Sequence, residues 1–137
     1  MDHNSSTKQN ILIVYDQYEI HPRKYKKLQA EGVAARLKAR GHTVTLWDID
    51  DLAIKHGTLY SHGKPADLNA FSGVWWRASV RDPQRIDKNI KIFEVIEKKL
   101  PAFGSYKNIL NADSKIATET ILRAANVKTP RALILET

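Results

Sequence analysis

Few side chains in this sequence have both the type and the position for chemistry, and most of those fall where apolar runs end. Asp16 follows Ile11-Leu12-Ile13-Val14-Tyr15, Asp48 follows His42-Thr43-Val44-Thr45-Leu46-Trp47, and Arg77 closes Ser72-Gly73-Val74-Trp75-Trp76. In open parallel sheets ligands collect outside the carboxyl ends of the strands, so charged groups at these ends are placed to meet a substrate. Asp16, Arg77 and Trp76 are therefore substrate-side candidates. For Arg77 the alternative is a structural ion pair with Asp82 or Asp48. Trp75 and Trp76 alternate faces, so at least one belongs to a core, and the other either joins it or lines a cleft. Lys115 falls in the first turn of a helix opened by Asn111-Ala112-Asp113-Ser114. A cation beside the free N–H groups of that turn favours an anion, the alternative being a solvated surface lysine.

Several chemistries are excluded. The chain has no cysteine, so it has no disulfide scaffold, thiolate metal site or cysteine nucleophile, and this fits a reducing cytoplasmic setting. His3, His21, His42, His56 and His62 show no metal-binding spacing: His42, at a strand start after Gly41, reads as structural, and His56 and His62 as solvent-facing. There is no Gly-x-Ser-x-Gly elbow, no Gly-x-Gly-x-x-Gly after the first strand and no P-loop. The polar start, MDHNSSTKQN, lacks the apolar core of a secretory signal, and no apolar run approaches the roughly 20 residues that span a bilayer. The formal net charge of +7 predicts attraction to anions without choosing among them. Nucleic acid is a weak option, since the basic residues are not interleaved with an aromatic platform.

The elements that must position these residues follow from the apolar patterning of 137 residues, enough for one domain. Residues 1–10 read as a flexible tail. Ile11–Tyr15 is apolar on both faces, as in a parallel sheet covered on both sides. Arg23–Arg40 has helical character, with Tyr25, Leu28, Val33, Ala34 and Leu37 on one broad face and Gly41 as its stop. The strand His42–Trp47 completes a βαβ unit. A short helical turn at Asp51-Leu52-Ala53, a small hairpin around Gly63, and a strand over Ser72–Arg77 come next. A helix from about Pro83 to Lys99 carries an inner stripe of Ile86, Ile90, Phe93, Ile96 or Glu97, and Leu100. Pro101–Gly104 is a short strand, Asp113–Ala125 a helix with Asn126 beyond its end, and Arg131–Leu135 a last strand. This alternation predicts an α/β fold of three layers, with helices on both faces of a mainly parallel sheet.

The C-terminal third resembles the junction at which the N-terminal domain of ATP-grasp ligases of the glutathione synthetase and RimK-like type meets the ATP-binding domains. The matching residues are Asn108, Asp113, Lys115, Leu122, Val127 and Pro130, with Asn126 where the family favours Gly. Ser114 separates Asp113 from Lys115, so the alignment of Lys115 shifts by one position. Upstream, Gly41-His42-x-Val44, the hairpin ending at Lys64-Pro65, and Gly73-Val74-Trp75-Trp76-Arg77 also fit, which extends the resemblance over residues 11 to 137.

The resemblance implies a Rossmann-like pre-ATP-grasp domain over residues 11–112. Residues 113–137 would be a linker helix and first strand leading into an ATP-grasp domain that this chain lacks. The parent would be an ATP-dependent carboxylate–amine or carboxylate–thiol ligase that uses ATP and Mg²⁺ and passes through an acyl-phosphate. Lys115 would contact the ATP phosphates, and Arg77 would lie on the side of a small-molecule or peptide carboxylate. The chain by itself is expected to be inactive, to bind ATP weakly, and to be able to form a homodimer. The alternative is a non-catalytic α/β module for binding or dimerisation.

Overall fold

Ile11, Leu12, Ile13 and Val14 are buried side by side, which a strand achieves only when both of its faces are covered. They form β1 (Asn10–Tyr15) in a computed structural model that describes residues 8–17, 25–78, 84–105, 107 and 121–126. On one side β1 pairs in parallel with β2 (Thr43–Asp48), on the other with β6 (Gly73–Arg77), and β6 pairs in parallel with β7 (Ala102–Phe103). The four-stranded order is β2-β1-β6-β7. Two helices accompany this sheet, α1 (Tyr25–Ala39) between β1 and β2 and α2 (Ile86–Glu97) between β6 and β7. The fold is thus α/β, as expected. Asn10 already belongs to β1, and Gln9 joins β2 through the Thr43 N–H, so the sheet begins inside the stretch read as a tail.

Alternate residues of β1 enter two separate cores. Ile11 and Ile13 pack with Ala30 and Ala34 of α1, flanked by Val33, Leu37 and Trp75. Leu12 and Val14 pack with Val74 and Trp76 of β6 and with Ile92, Phe93 and Ile96 of α2. The α1 stripe differs from the expected one, because Leu28 is 61% exposed. At about 100° per residue Leu28 lies nearly opposite Ala30, and the row Lys26-Ala30-Ala34 faces the sheet instead. Small side chains on that row let the helix lie close to β1. In α2 the buried set is Asn89, Ile92, Phe93 and Ile96, while Ile86 and Ile90 sit at its margin. The end of α1 is closed by two backbone bonds, Gly41 N–H to the Lys38 carbonyl and His42 N–H to the Leu37 carbonyl, the paired pattern of a Schellman motif.

Between β2 and β6 the chain builds a second, antiparallel sheet of β3 (Leu52–Lys55), β4 (Thr58–Ser61) and β5 (Lys64–Pro65). Leu52 and Leu59 tie it to the core beneath α2. Its two turns are His56-Gly57 and His62-Gly63, with φ of 51°, 76°, 52° and 77°. Positive φ at both central residues makes each a two-residue hairpin of the kind that matches strand twist. The sequence suggested the second hairpin only, and placed a helical turn at Asp51–Ala53. The turn is a 3-10 turn at Ile49–Asp51, and Leu52 and Ala53 are already strand.

Residues 121–124 are helical, and Asn126, expected beyond the end of that helix, has left-handed backbone with φ 60°. The start of the same helix with Asp113 and Lys115, the motif residues Asn108, Val127 and Pro130, and the strand expected at Arg131–Leu135 lie outside the described residues.

Candidate functional site at the carboxyl edge of the parallel sheet

The strand order determines where a ligand can enter. From β1 the chain moves outward to β2, and from β6 it moves outward the other way to β7. The two crossovers therefore diverge between β1 and β6, and the carboxyl ends at such a divergence are the usual binding position in sheets of this kind. Asp16, Asp48 and Arg77 all lie at or just beyond these ends.

Asp16 is 1% exposed, and its Oδ1 accepts a hydrogen bond from Lys26 Nζ at 2.7 Å. Lys26 comes from the first turn of α1, at the head of the Ala30-Ala34 row that faces the sheet. An ionised carboxylate removed from water needs such a partner, so the pair fixes the first turn of α1 against the end of β1. Asp16 is joined to the neighbouring strand as well, its N–H donating to the Arg77 carbonyl at 3.4 Å.

Three residues along α1 from Lys26, on nearly the same face, Gln29 reaches β6. Its Oε1 accepts from Arg77 Nε at 2.6 Å. The ion pair between Arg77 and Asp48 that the sequence left open is not formed, and Asp82 lies outside the described residues. Asp48 accepts from Gln17 Nε2 at 2.8 Å through Oδ2, and its Oδ1 caps the following 3-10 turn by accepting the Asp50 N–H at 3.0 Å. The next two acids also hold partners: Asp50 pairs with Arg85 before α2 at 2.8 Å, and Asp51 pairs with His62 of the second hairpin at 3.1 Å.

Tyr15 sits between Asp48 and Arg77, the register partner of both. Burial raises its phenol above the ordinary tyrosine pKa, and the negative charges of Asp48, Asp51 and Glu31 raise it further. The β2 side of the edge therefore carries a negative field, and the β6 side carries the Arg77 cation.

The structure thus brings Asp16 and Arg77 together, with Lys26 and Gln29 as the side chains that hold them. The two glutamines escaped the sequence reading. The i, i+4 relation of Lys26 to Ala30 marks the buried row, although a charged side chain carries no apolar signal for it. Trp76 is 4% exposed and packs on Phe93 with ring centroids 4.5 Å apart, so its indole belongs to the α2-side core, and Trp75 packs partly buried on the α1 side. His42 accepts from the Gln9 N–H through Nδ1 at 3.1 Å, a structural role, and His56 and His62 are exposed.

A separate open cleft of about 510 Å³ runs between the end of α2 and β7, lined by Glu94, Glu97, Lys98, Leu100, Pro101, Ala102, Ser105 and Lys107. It contains none of the edge residues. Among the described residues no group of three or more His, Cys, Asp or Glu side chains converges to hold a metal, and no helix is long and apolar enough to cross a membrane. No protein-family model matches the sequence, and no curated protein matches it.

Proposed function

We propose that this chain is the substrate-side domain of an ATP-dependent carboxylate–amine ligase, a three-layer, Rossmann-like pre-ATP-grasp domain that binds the carboxylate substrate. The observation that carries the reading is the cationic group at the divergence of the two crossovers, Arg77, with its guanidinium held by Gln29 and, among the described residues, no carboxylate on it. A guanidinium so placed suits bidentate recognition of a carboxylate. The motif around Asn108, Asp113, Lys115 and Pro130 supports the same family.

The described residues offer neither a group of metal ligands nor a phosphate loop, and so do not fit ATP and Mg²⁺. The proposal places both in ATP-grasp domains acting alongside this one, with Lys115 as its one candidate for a phosphate contact. The role of this chain is to bind and orient the carboxylate and to form one wall of the substrate cleft. The setting is the cytoplasm.

Titration of the ¹⁵N-labelled chain with L-glutamate tests this. Saturable shifts at the amides of Tyr15–Gln17 and Arg77–Ala78, lost in Arg77→Gln, are expected, with only weak binding of Mg·ATP. Stoichiometric binding of Mg·ATP at micromolar concentration by this chain alone would overturn the division of labour, and absence of any glutamate-dependent shift at these amides would overturn the carboxylate site.

A further inference from the structure

Asp48 and Arg77 share an unusual circumstance. Both stand in register with Tyr15, one on each side of it, and in-register residues of parallel strands point to the same face. Their Cα atoms are thus separated by two strand spacings, about 10 Å. Each is held by a glutamine, and each glutamine uses the end that suits its partner: Gln17 donates its amide N–H to the Asp48 carboxylate, and Gln29 offers its amide oxygen to the Arg77 Nε–H. A neutral amide orients a charged group without cancelling it. Between them Asp16 and Lys26 pair with each other. Asp48 and Arg77 therefore present an oriented negative charge and an oriented positive charge on opposite sides of β1.

Because Nε is engaged by Gln29, the side-on edge of the guanidinium is taken, and among the described residues the terminal pair of nitrogens is left for a planar, two-oxygen acceptor. A phosphate dianion is poorly matched, since Asp48 would repel its second charge. Resting on the carboxylate-site reading above, we infer that this edge binds a dipolar ligand, the free carboxylate on Arg77 and a free ammonium on Asp48, of the length of a short peptide or a long amino acid. Gln17 and Gln29 are then positioning residues, and the negative field that Tyr15 senses from Asp48 is the field that attracts the ammonium.

Calorimetric titration of the full 137-residue chain with alanyl-alanine, its N-acetyl form, its C-terminal amide and inorganic phosphate tests the inference. The free dipeptide is expected to bind at least about tenfold more tightly than either capped form, a difference of about 1.4 kcal/mol, and phosphate more weakly still. Gln29→Glu keeps an acceptor for Nε and so keeps the fold, yet neutralises Arg77; it should abolish discrimination against the amide. Gln17→Lys should abolish discrimination against the N-acetyl form. A merely structural role for the glutamines would leave both preferences unchanged while the thermal midpoint moved. Equal binding of free and capped peptides, or tighter binding of phosphate, overturns the inference. If the amide cap and Arg77→Gln abolish binding while N-acetylation does not, the dipolar site falls and the carboxylate site stands. If neither dipeptide nor glutamate binds, both fall.

Discussion

Two ion pairs of the molecule have similar geometry and opposite surroundings. Lys26–Asp16, at the carboxyl edge of the parallel sheet, has 17% and 2% of its side chains exposed, whereas His62–Asp51, where the antiparallel hairpins meet the 3-10 turn, has 66% and 46%. The contact distances, 2.7 and 3.1 Å, would not predict different consequences. Burial does. In the first pair both charges are largely removed from water, so losing one partner leaves the other in low dielectric without its opposite charge. In the second, an ion pair only while His62 is protonated, both groups remain hydrated, and the gain is offset by side-chain entropy and screened by salt.

The largest effect is therefore expected at the edge. Lys26→Met should destabilise the fold by about 3 kcal/mol, read as a lower urea midpoint at unchanged slope, because it leaves the Asp16 carboxylate buried without its ammonium. The double variant with Asp16→Asn should recover part of that loss. A loss under about 1 kcal/mol would place this pair in the surface class and erase the comparison.

On the hairpin side the backbone matters more than the charges. Gly57 and Gly63 sit at φ 76° and 77°, and a Cβ at either meets no atom within 4 Å, so the cost of alanine there is conformational alone. Gly57→Ala should cost about 1 kcal/mol or slightly more. His62→Ala, which removes the ion pair on the neighbouring turn, should stay below about 1 kcal/mol and shrink further in high salt. Reversal of that order would show that the exposed pair, and not the turn, holds the hairpin in place.

The same contrast explains what the sequence could and could not disclose. β1 was legible because four consecutive apolar residues permit few other solutions, and Gly41 and Asn126 because helix ends have local chemistry. The stripe of α1 was misread because hydrophobicity ranks Leu28 above Ala30, while close approach to a sheet selects the smaller residue. The first hairpin was missed although its His56-Gly57 turn repeats the His62-Gly63 turn of the second, because reading Asp51-Leu52-Ala53 as a helical turn left no strand for β4 to pair with. Asp16, Asp48 and Arg77 were visible as charges at strand ends. Their holders were not: Lys26 meets Asp16 only once the rotation of α1 is set, and the amides of Gln17 and Gln29 carry no charge pattern to detect.

The smallest expected effect probes the field at the edge. Burial, Asp48, Asp51 and Glu31 disfavour the Tyr15 phenolate in the folded chain, so its folded pKa lies above its unfolded one. Stability owed to Tyr15 is then fully present below the ordinary tyrosine value of about 10 and is lost as pH rises from there through the folded pKa. Tyr15→Phe should match the parent at neutral pH and fall less steeply above that value, measured as the difference between their thermal midpoints across the alkaline range. Asp48→Asn should reduce the parent's slope in the same window. Asp50→Asn should not, since Asp50 is paired with Arg85 and is absent from the charges that act on Tyr15. Equal effects of the two aspartates would mean that Tyr15 senses the net charge of the whole turn. Unequal effects in the expected order would localise the uncancelled negative charge at Asp48, on the opposite side of β1 from Arg77.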